Sequence, residues 1–454
     1  MNLYPTQKEL QIKDNLTNVG QNLLWMVWSA SISIANSILL WAYFARMREV
    51  EEVGRFTIVM GLYTLFFGIC SLGLIPFLVS EISRRSEQNK ISAKSEPNVA
   101  TFISTASVVL LIAGIVCAVL MAVGGFLVSA SWSVRLSTLI LSLAMIPTGV
   151  IAVGESTAIS FGQTRIIAIA TTLENLLRTI IPFVLIWYGF DIWLICVSFV
   201  AVRVAALLIY FWAVRHKLKL FNFNAADLTK ILQVVPTFGG TIILVSINWQ
   251  AAIILLGLFS TEIESAKYGV ASRFLIPVSI LMASYAGVIQ PIITQYAQRS
   301  MTNAGAYLSK MLSYPLILAT LTAIISPFLS RQILTAFFGS KYADGSTTLD
   351  ILAMSVVPFC IVMVVARGLV ATNAQQIDLL ANAIGVVVCL VGGLLLIPKY
   401  GAIGAATAQL LSFLAMAVLE TVYLSRKILS FRIWQQACLS SIFLLLIHLI
   451  IWKI

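Results

Sequence analysis

The stretch GRFTIVMGLYTLFFGICSLGLIPFLVSEISRR, residues 54–85, decides the reading of this chain. Between Arg55 and Glu81 it carries no charged residue. A helix crosses a hydrocarbon core of about 30 Å in roughly 20 apolar residues, so the stretch reads as a membrane span. Its landmarks then recur. Gly54 and Pro76 return as Gly269 and Pro291, both 215 residues on, and SEISRRS (80–86) is answered by TQYAQRS (294–300). Further along, Pro147 matches Pro358, Gln163 matches Gln375, and Tyr188-Gly189 matches Tyr400-Gly401. AVRHKL (213–218) and LSRKIL (424–429) close the two copies, and the offset drifts only from 215 to 211. A shared order with so small a drift points to duplication. Membrane folds built from two such halves place a substrate site between them and work by moving one half against the other.

The composition agrees. Apolar residues make up 60% of the 454, charged residues 10%, and the mean hydropathy is +0.98. A soluble domain carries about a quarter charged residues, so the chain is expected to be a polytopic membrane protein. Its net charge of +11 then reflects loops that hold its orientation, and nucleic acid is not an expected partner. Cys70, Cys117, Cys196, Cys360, Cys389 and Cys438 all lie in apolar stretches, with no CxxC or Cys/His spacing. They read as small core residues, and neither a disulfide framework nor a metal site is expected. His216 and His448 form no cluster, and no cofactor is expected. Residues 1–20 are polar and the first apolar stretch is too long for a signal-peptide core, so no cleavable leader is expected.

Thirteen spans are expected on the same ruler: about 21–44, 55–79, 100–126, 136–159, 166–188, 192–213, 231–258, 267–293, 306–330, 348–370, 376–397, 401–424 and 433–452. Six fall in each repeat. An even number returns the chain to its starting side, so the repeats run parallel. The expected architecture is a cytoplasmic segment 1–20, an N-lobe 21–218, a C-lobe 219–427 and an extra C-terminal transmembrane helix 428–454. The two six-helix repeats would form two lobes around a central cavity. Of the 29 Lys and Arg, seventeen fall in segments that are cytoplasmic if the N-terminus is inside, nine fall outside, and Arg178, Arg203 and Arg273 fall within spans. That bias favours a cytoplasmic N-terminus, and the odd count then places the C-terminus outside. The longest loops, about 80–99 and 214–230, are too short for a catalytic domain. An envelope polymerase or ligase is therefore disfavoured, and no enzyme is expected. The matched prolines Pro76/Pro291 and Pro147/Pro358 are either tolerated kinks or bends that open and close a cavity.

An arginine inside a span costs roughly 2.5–3.5 kcal/mol on insertion scales, so it faces a partner or a wet cavity. Arg178 has Glu174 one turn before it, which suits a local ion pair. Arg203 has no acidic residue within a turn and is open to either a cavity or a packing role. GRF (54–56) and SRF (272–274) set Arg55 and Arg273 near the outer ends of spans 2 and 8. The two are candidates for one cavity, with snorkelling to the interface the rival reading for Arg55. Spans 1 and 7 hold no acidic residue, and their polar residues include Asn36 and Asn248. Glu155, Asp378 and Glu420 lie close in sequence to Arg165, Arg367 and Arg426 and read as structural pairs. A cavity with arginine and few carboxylates suits an anionic ligand and is poor for a cationic drug or a proton relay.

GRFTIVMGLYTLFFGICSLGLIPFLVSEISRR (54–85), FGSKYADGSTTLDILAMSVVP (338–358) and YGAIGAATAQLLSFLAMAVLETVYLSRK (400–427) resemble the polysaccharide flippases of the multidrug/oligosaccharidyl-lipid/polysaccharide exporter superfamily. The likeness covers almost the whole chain and is greatest to the O-antigen flippases of Gram-negative bacteria. It implies a multi-pass protein of the bacterial inner membrane that carries undecaprenyl-diphosphate-linked oligosaccharide from the cytoplasmic to the periplasmic leaflet. Such a protein works beside the polysaccharide polymerase and chain-length machinery of lipopolysaccharide biosynthesis. Related lipid II flippases use arginines of the second and eighth helices in a central cavity, and Arg55 and Arg273 match those positions. Two features depart from the pattern: relatives usually have twelve or fourteen helices, and the acidic residue that drug-extruding relatives carry in helix 1 is missing. The expected substrate-binding residues are Arg55, Arg178, Arg203 and Arg273. The alternative reading is a multidrug/cation antiporter of the same fold.

Overall fold

The computed structural model describes residues 38–91, 99–215 and 223–427. Segment 1–20, most of the first expected span with Asn36, and the thirteenth span with segment 428–454 lie outside the described residues, as do Cys438, His216 and His448. Among the described residues every regular element is helical, and ten helices are long and apolar enough to cross a membrane. The protein is an all-α, multi-pass membrane protein. Its helices are α1 (described over Ile38–Met47), α2 (Val50–Cys70), α3 (Ile75–Ile91), α4 (Val99–Val128), α5 (Trp132–Ser142), α6 (Met145–Ser160) and α7 (Thr164–Trp187). They continue as α8 (Ile192–Val214), α9 (Ala225–Phe259), α10 (Glu262–Ser272), α11 (Leu275–Arg299), α12 (Met301–Phe338), α13 (Ser346–Ala371) and α14 (Gln375–Lys427).

In these helices the solvent is lipid, which inverts the usual amphipathic pattern. On α4 the exposed residues include Ile112, Val116, Val119, Val123 and Leu127, an apolar stripe at helical spacing. Its buried side carries Phe102, Ile103, Ala106, Leu110 and Met121. Both faces are apolar, so burial alone supplies little drive between helices, and close packing must do more. Gly54 and Gly269 show this. A Cβ on Gly54 would overlap the Glu262 carbonyl oxygen, and one on Gly269 would overlap the Thr57 side chain. These two repeat-matched glycines let α2 and α10 touch.

Several spans are broken in mid-course. Between α2 and α3 the backbone turns left-handed at Leu72 and Gly73 (φ +48° and +62°), and Pro76 falls in the first turn of α3. Pro147 likewise falls in the first turn of α6, just after the break that ends α5. There a missing N–H costs nothing, because first-turn N–H groups have no helical acceptor. Pro291 and Pro358 sit inside the continuous helices α11 and α13. The helix α14 is two passes divided at Gly401 (φ +52°), where the Ala402 N–H donates to Glu264 Oε2 at 2.9 Å. A carboxylate at that restarting N-terminus opposes the helix dipole favourably.

The chain packs as two compact units. Described residues of one fall in Ile69–Leu120 and Ile140–Gly239, with a core of Leu74, Leu78, Ile82, Phe102, Ile103 and Ile231. Arg85 in this unit was expected in a loop. Instead α3 continues through it, and its side chain is only 5% exposed, with Nε 2.7 Å from Glu81 Oε1 and Nη2 2.6 Å from Asp227 Oδ1. Its guanidinium also lies 4.3 Å from the Phe102 ring centroid. Paired carboxylates let the charge run SEISRR stay helical. The second unit comprises Trp41–Gly68, Met121–Leu139 and the chain from Gly240 on. Its core joins α11, α12, α13 and α14 through Leu312, Leu316, Val357, Phe359, Phe413 and Leu424.

Candidate functional site

The four expected arginines have different surroundings. Arg203 and Arg178 share Glu174. The Arg203 Nη1 donates at 2.7 Å to both Glu174 oxygens and its Nε reaches Thr148 Oγ1 at 3.2 Å, while Arg178 Nη1 stands 3.3 Å from Glu174 Oε1. Arg178 also lies 4.8 Å from the Phe199 ring. Glu155 feels Arg203 and Glu174 as its charged neighbours, where Arg165 was expected. Arg55 sits in the second turn of α2 and pairs with Glu262, Nε to Oε2 at 2.7 Å.

Arg273 differs from the other three. It ends α10 at the bend into α11, and its guanidinium lies 3.7 Å from the centroid of the Trp41 ring. Trp41 is held from behind by Phe44 and Phe56, with centroids 6.5 and 5.1 Å away. Among the described residues no carboxylate pairs with Arg273, and its buried Nε has no hydrogen-bond partner. A cation over an aromatic face gains about 0.5–2 kcal/mol. Desolvating an ion costs several kcal/mol. Among the described residues the arginine is therefore left under-compensated.

Arg273 lines a cavity of about 400 Å³ with Gly61 and Thr64 of α2, Trp249 and Gln250 of α9, and Gln409 of α14. A second cavity, about 480 Å³, adjoins it through the shared residues Val245, Trp249 and Ser279. Its far end holds Arg367, Asp378 and Asn382. There Arg367 Nη1 donates to Gln290 Oε1 at 3.0 Å and Asn382 Nδ2 donates to Asp378 Oδ1 at 3.1 Å. Glu420, fully buried, neighbours Asp378 and Arg367. A cavity with almost no carboxylate was expected; the first one has none in its lining, but the second has Asp378. Asp378 has Arg367 as its basic neighbour, as expected, and so does Glu420, where Arg426 was expected.

Sequence reasoning missed Trp41, Trp249, Gln409 and Arg367. For Trp249 there was a signal, the polar-aromatic run Asn248-Trp249-Gln250 in an otherwise apolar span. Trp41 has none, because its partner lies more than two hundred residues away. Cys70, Cys117, Cys196, Cys360 and Cys389 are buried, as expected of small core residues.

The profile of a family described as polysaccharide biosynthesis protein matches residues 19–297. The chain belongs to that family. A stretch of 210 residues is 29% identical to the probable low-salt glycan biosynthesis flippase Agl15 of Haloferax volcanii. It covers 45% of this chain and 42% of that protein, so the match spans less than half of the curated relative. Among solved structures, the lipid II flippase MurJ in an inward closed conformation superposes with a TM-score of 0.71 at 17% identity, over 94% of this chain and 92% of that one. An inward-facing multidrug resistance MATE family transporter of the MOP superfamily gives 0.65 at 14% identity, over 87% and 94%. At such identities these two likenesses establish the fold of this family member.

Proposed function

We propose that this protein is a flippase for a lipid-linked oligosaccharide. It moves the undecaprenyl-diphosphate-linked repeat unit of an O-antigen or similar polysaccharide from the cytoplasmic to the periplasmic leaflet of a bacterial inner membrane. The N-terminus is cytoplasmic, and the N- and C-lobes rock in alternating access. No bond is made or broken, and the product passes to the polymerase and chain-length machinery. One observation carries the reading: Arg273 faces a cavity with an aromatic wall behind it and, among the described residues, no carboxylate to neutralise it. Its guanidinium would hold the diphosphate, the sugars would occupy the cavity, and the lipid tail would stay in the bilayer. Arg55, Arg178 and Arg203 each hold a carboxylate and become phosphate ligands only if it releases them. The names of the relatives, a glycan biosynthesis flippase and a lipid II flippase, support the same class.

The test is complementation of a strain lacking the protein. Arg273→Ala should abolish surface polysaccharide at normal protein levels, while Arg273→Lys should keep part of it. Lysine retains the charge and loses the two-pronged geometry. Full surface polysaccharide with the alanine variant refutes the assignment. A second reading, a multidrug/cation antiporter, draws on Asp378 and Glu420 beside the second cavity. Export of cationic dyes by the purified protein, with no effect on polysaccharide, would select it.

A further inference from the structure

The wall between the two cavities carries a second kind of chemistry. Trp249 lines both, and its indole is fixed by edge-on contacts with Phe359 and Phe413, ring centroids 5.4 and 5.8 Å away. Beside it runs a chain of polar side chains whose orientation can be worked out from one end. Ser412 Oγ donates its single hydrogen to the Gly385 carbonyl at 2.8 Å, so toward Asn248 it can only accept. Asn248 must then present Nδ2 to Ser412, at 2.8 Å, and its Oδ1 to Gln409. Gln409 in turn must present Nε2 to that Oδ1, at 3.1 Å. The amide assignment is thus forced by the serine at the end of the chain.

The remaining atom is Gln409 Oε1. It is buried, it accepts no hydrogen bond among the described residues, and its residue is 2% exposed and lines the Arg273 cavity. A buried acceptor without a donor carries a desolvation penalty that a ligand O–H or N–H would relieve. Hexopyranoses offer what this wall lacks: a face of axial C–H groups for an aromatic ring, and equatorial hydroxyl or acetamido donors at its rim. Ser246, Gln250 and Ser279 line the same space and add further polar groups.

We infer that Trp249 and Gln409 form a sugar subsite, in which one pyranose ring of the substrate lies against the Trp249 indole and donates a hydrogen bond to Gln409 Oε1. This rests on the reading of the Arg273 cavity as the headgroup site, and adds to it where the saccharide is read. The ring nearest the diphosphate is the one within reach, because Arg273, Trp249 and Gln409 line one cavity.

The experiment measures binding of short-chain analogues to the purified full-length protein in nanodiscs. The probes are citronellyl diphosphate and the same lipid carrying one glucose, galactose, N-acetylglucosamine or N-acetylgalactosamine. At least one sugar-bearing probe should bind about tenfold more tightly than the bare diphosphate, the range of one hydrogen bond plus an aromatic contact. Gln409→Ala and Trp249→Leu should each remove most of that increment and leave the affinity for bare citronellyl diphosphate unchanged. Trp249→Phe, which keeps the contacts with Phe359 and Phe413, should retain part of it and guards against a loss caused by misfolding. If no sugar improves on the bare diphosphate, or if the increment survives in both Gln409→Ala and Trp249→Leu, the subsite is refuted. Failure of the headgroup reading looks different: bare citronellyl diphosphate would bind equally well to the wild type and to Arg273→Ala.

Discussion

Whether Arg203 and Arg178 serve the fold or the substrate can be decided by removing Glu174. Glu174→Gln keeps the shape and takes away the charge to which Arg203 is bound at 2.7 Å, leaving Thr148 Oγ1 at 3.2 Å among its partners. The Arg203 side chain is 7% exposed. Breaking one side of a buried ion pair costs about 3–5 kcal/mol, because the other charge stays buried. Two features reduce that here: Gln still offers a carbonyl oxygen, and Glu155 lies within range of Arg203. A loss of about 3 kcal/mol is therefore expected, a large share of the 5–15 kcal/mol that typically holds a folded protein together. The assay is the thermal midpoint of the detergent-purified protein, read beside surface polysaccharide in the complemented strain. Glu174→Gln should lower both, through loss of folded protein. The double variant Glu174→Leu with Arg203→Met removes both charges of the 2.7 Å pair and should recover part of the midpoint, since replacing a buried pair with apolar side chains is often neutral, while the more exposed Arg178 still loses its 3.3 Å contact with Glu174. If Arg203 is structural, transport returns with it. A double variant that is stable, normally abundant and inactive would refute the structural reading and make Arg203 a substrate ligand.

Other outcomes are expected. Asp227→Ala strands Arg85 against Glu81 alone and should destabilise the first unit by about 2–4 kcal/mol, detected as a lower thermal midpoint; an unchanged midpoint would show that Glu81 suffices. Reporter fusions at Ser95 and Lys219 should read cytoplasm and fusions at Glu262 and Lys341 periplasm, and reversal at both pairs would overturn the N-inside topology. In proteoliposomes, voltage alone, negative inside, should drive outward transport, since a diphosphate of about two charges gains roughly 4–5 kcal/mol per 100 mV. If only a pH gradient works, Asp378→Asn and Glu420→Gln should abolish the coupling.

The spans were legible because a bilayer imposes a length on every apolar run, and residues such as Ile112, Val116 and Leu127 are apolar on the lipid side as well as the buried side. At Pro76 and Pro147 kinks were expected inside continuous spans, whereas each proline stands in the first turn of a new helix, where it is tolerated. The charged residues were read less well, and in one direction. A search within one helical turn of Arg203 finds no acid, because Glu174 reaches it from α7, 29 residues earlier. Arg85 looked like a loop residue because Asp227, its main partner, is 142 positions away. Local sequence shows the cost of a buried charge but not the distant group that offsets it. Arg273 was picked out by the match of SRF (272–274) to GRF (54–56), and Arg203 as an arginine within a span. What separates them is that the fold brings Arg203 a carboxylate and brings Arg273 an indole. A carboxylate neutralises a guanidinium, whereas an aromatic face holds it and leaves its charge available. For that reason Trp41, which no local pattern marks, supports the proposed role of Arg273 more than any feature of α10 or α11 does.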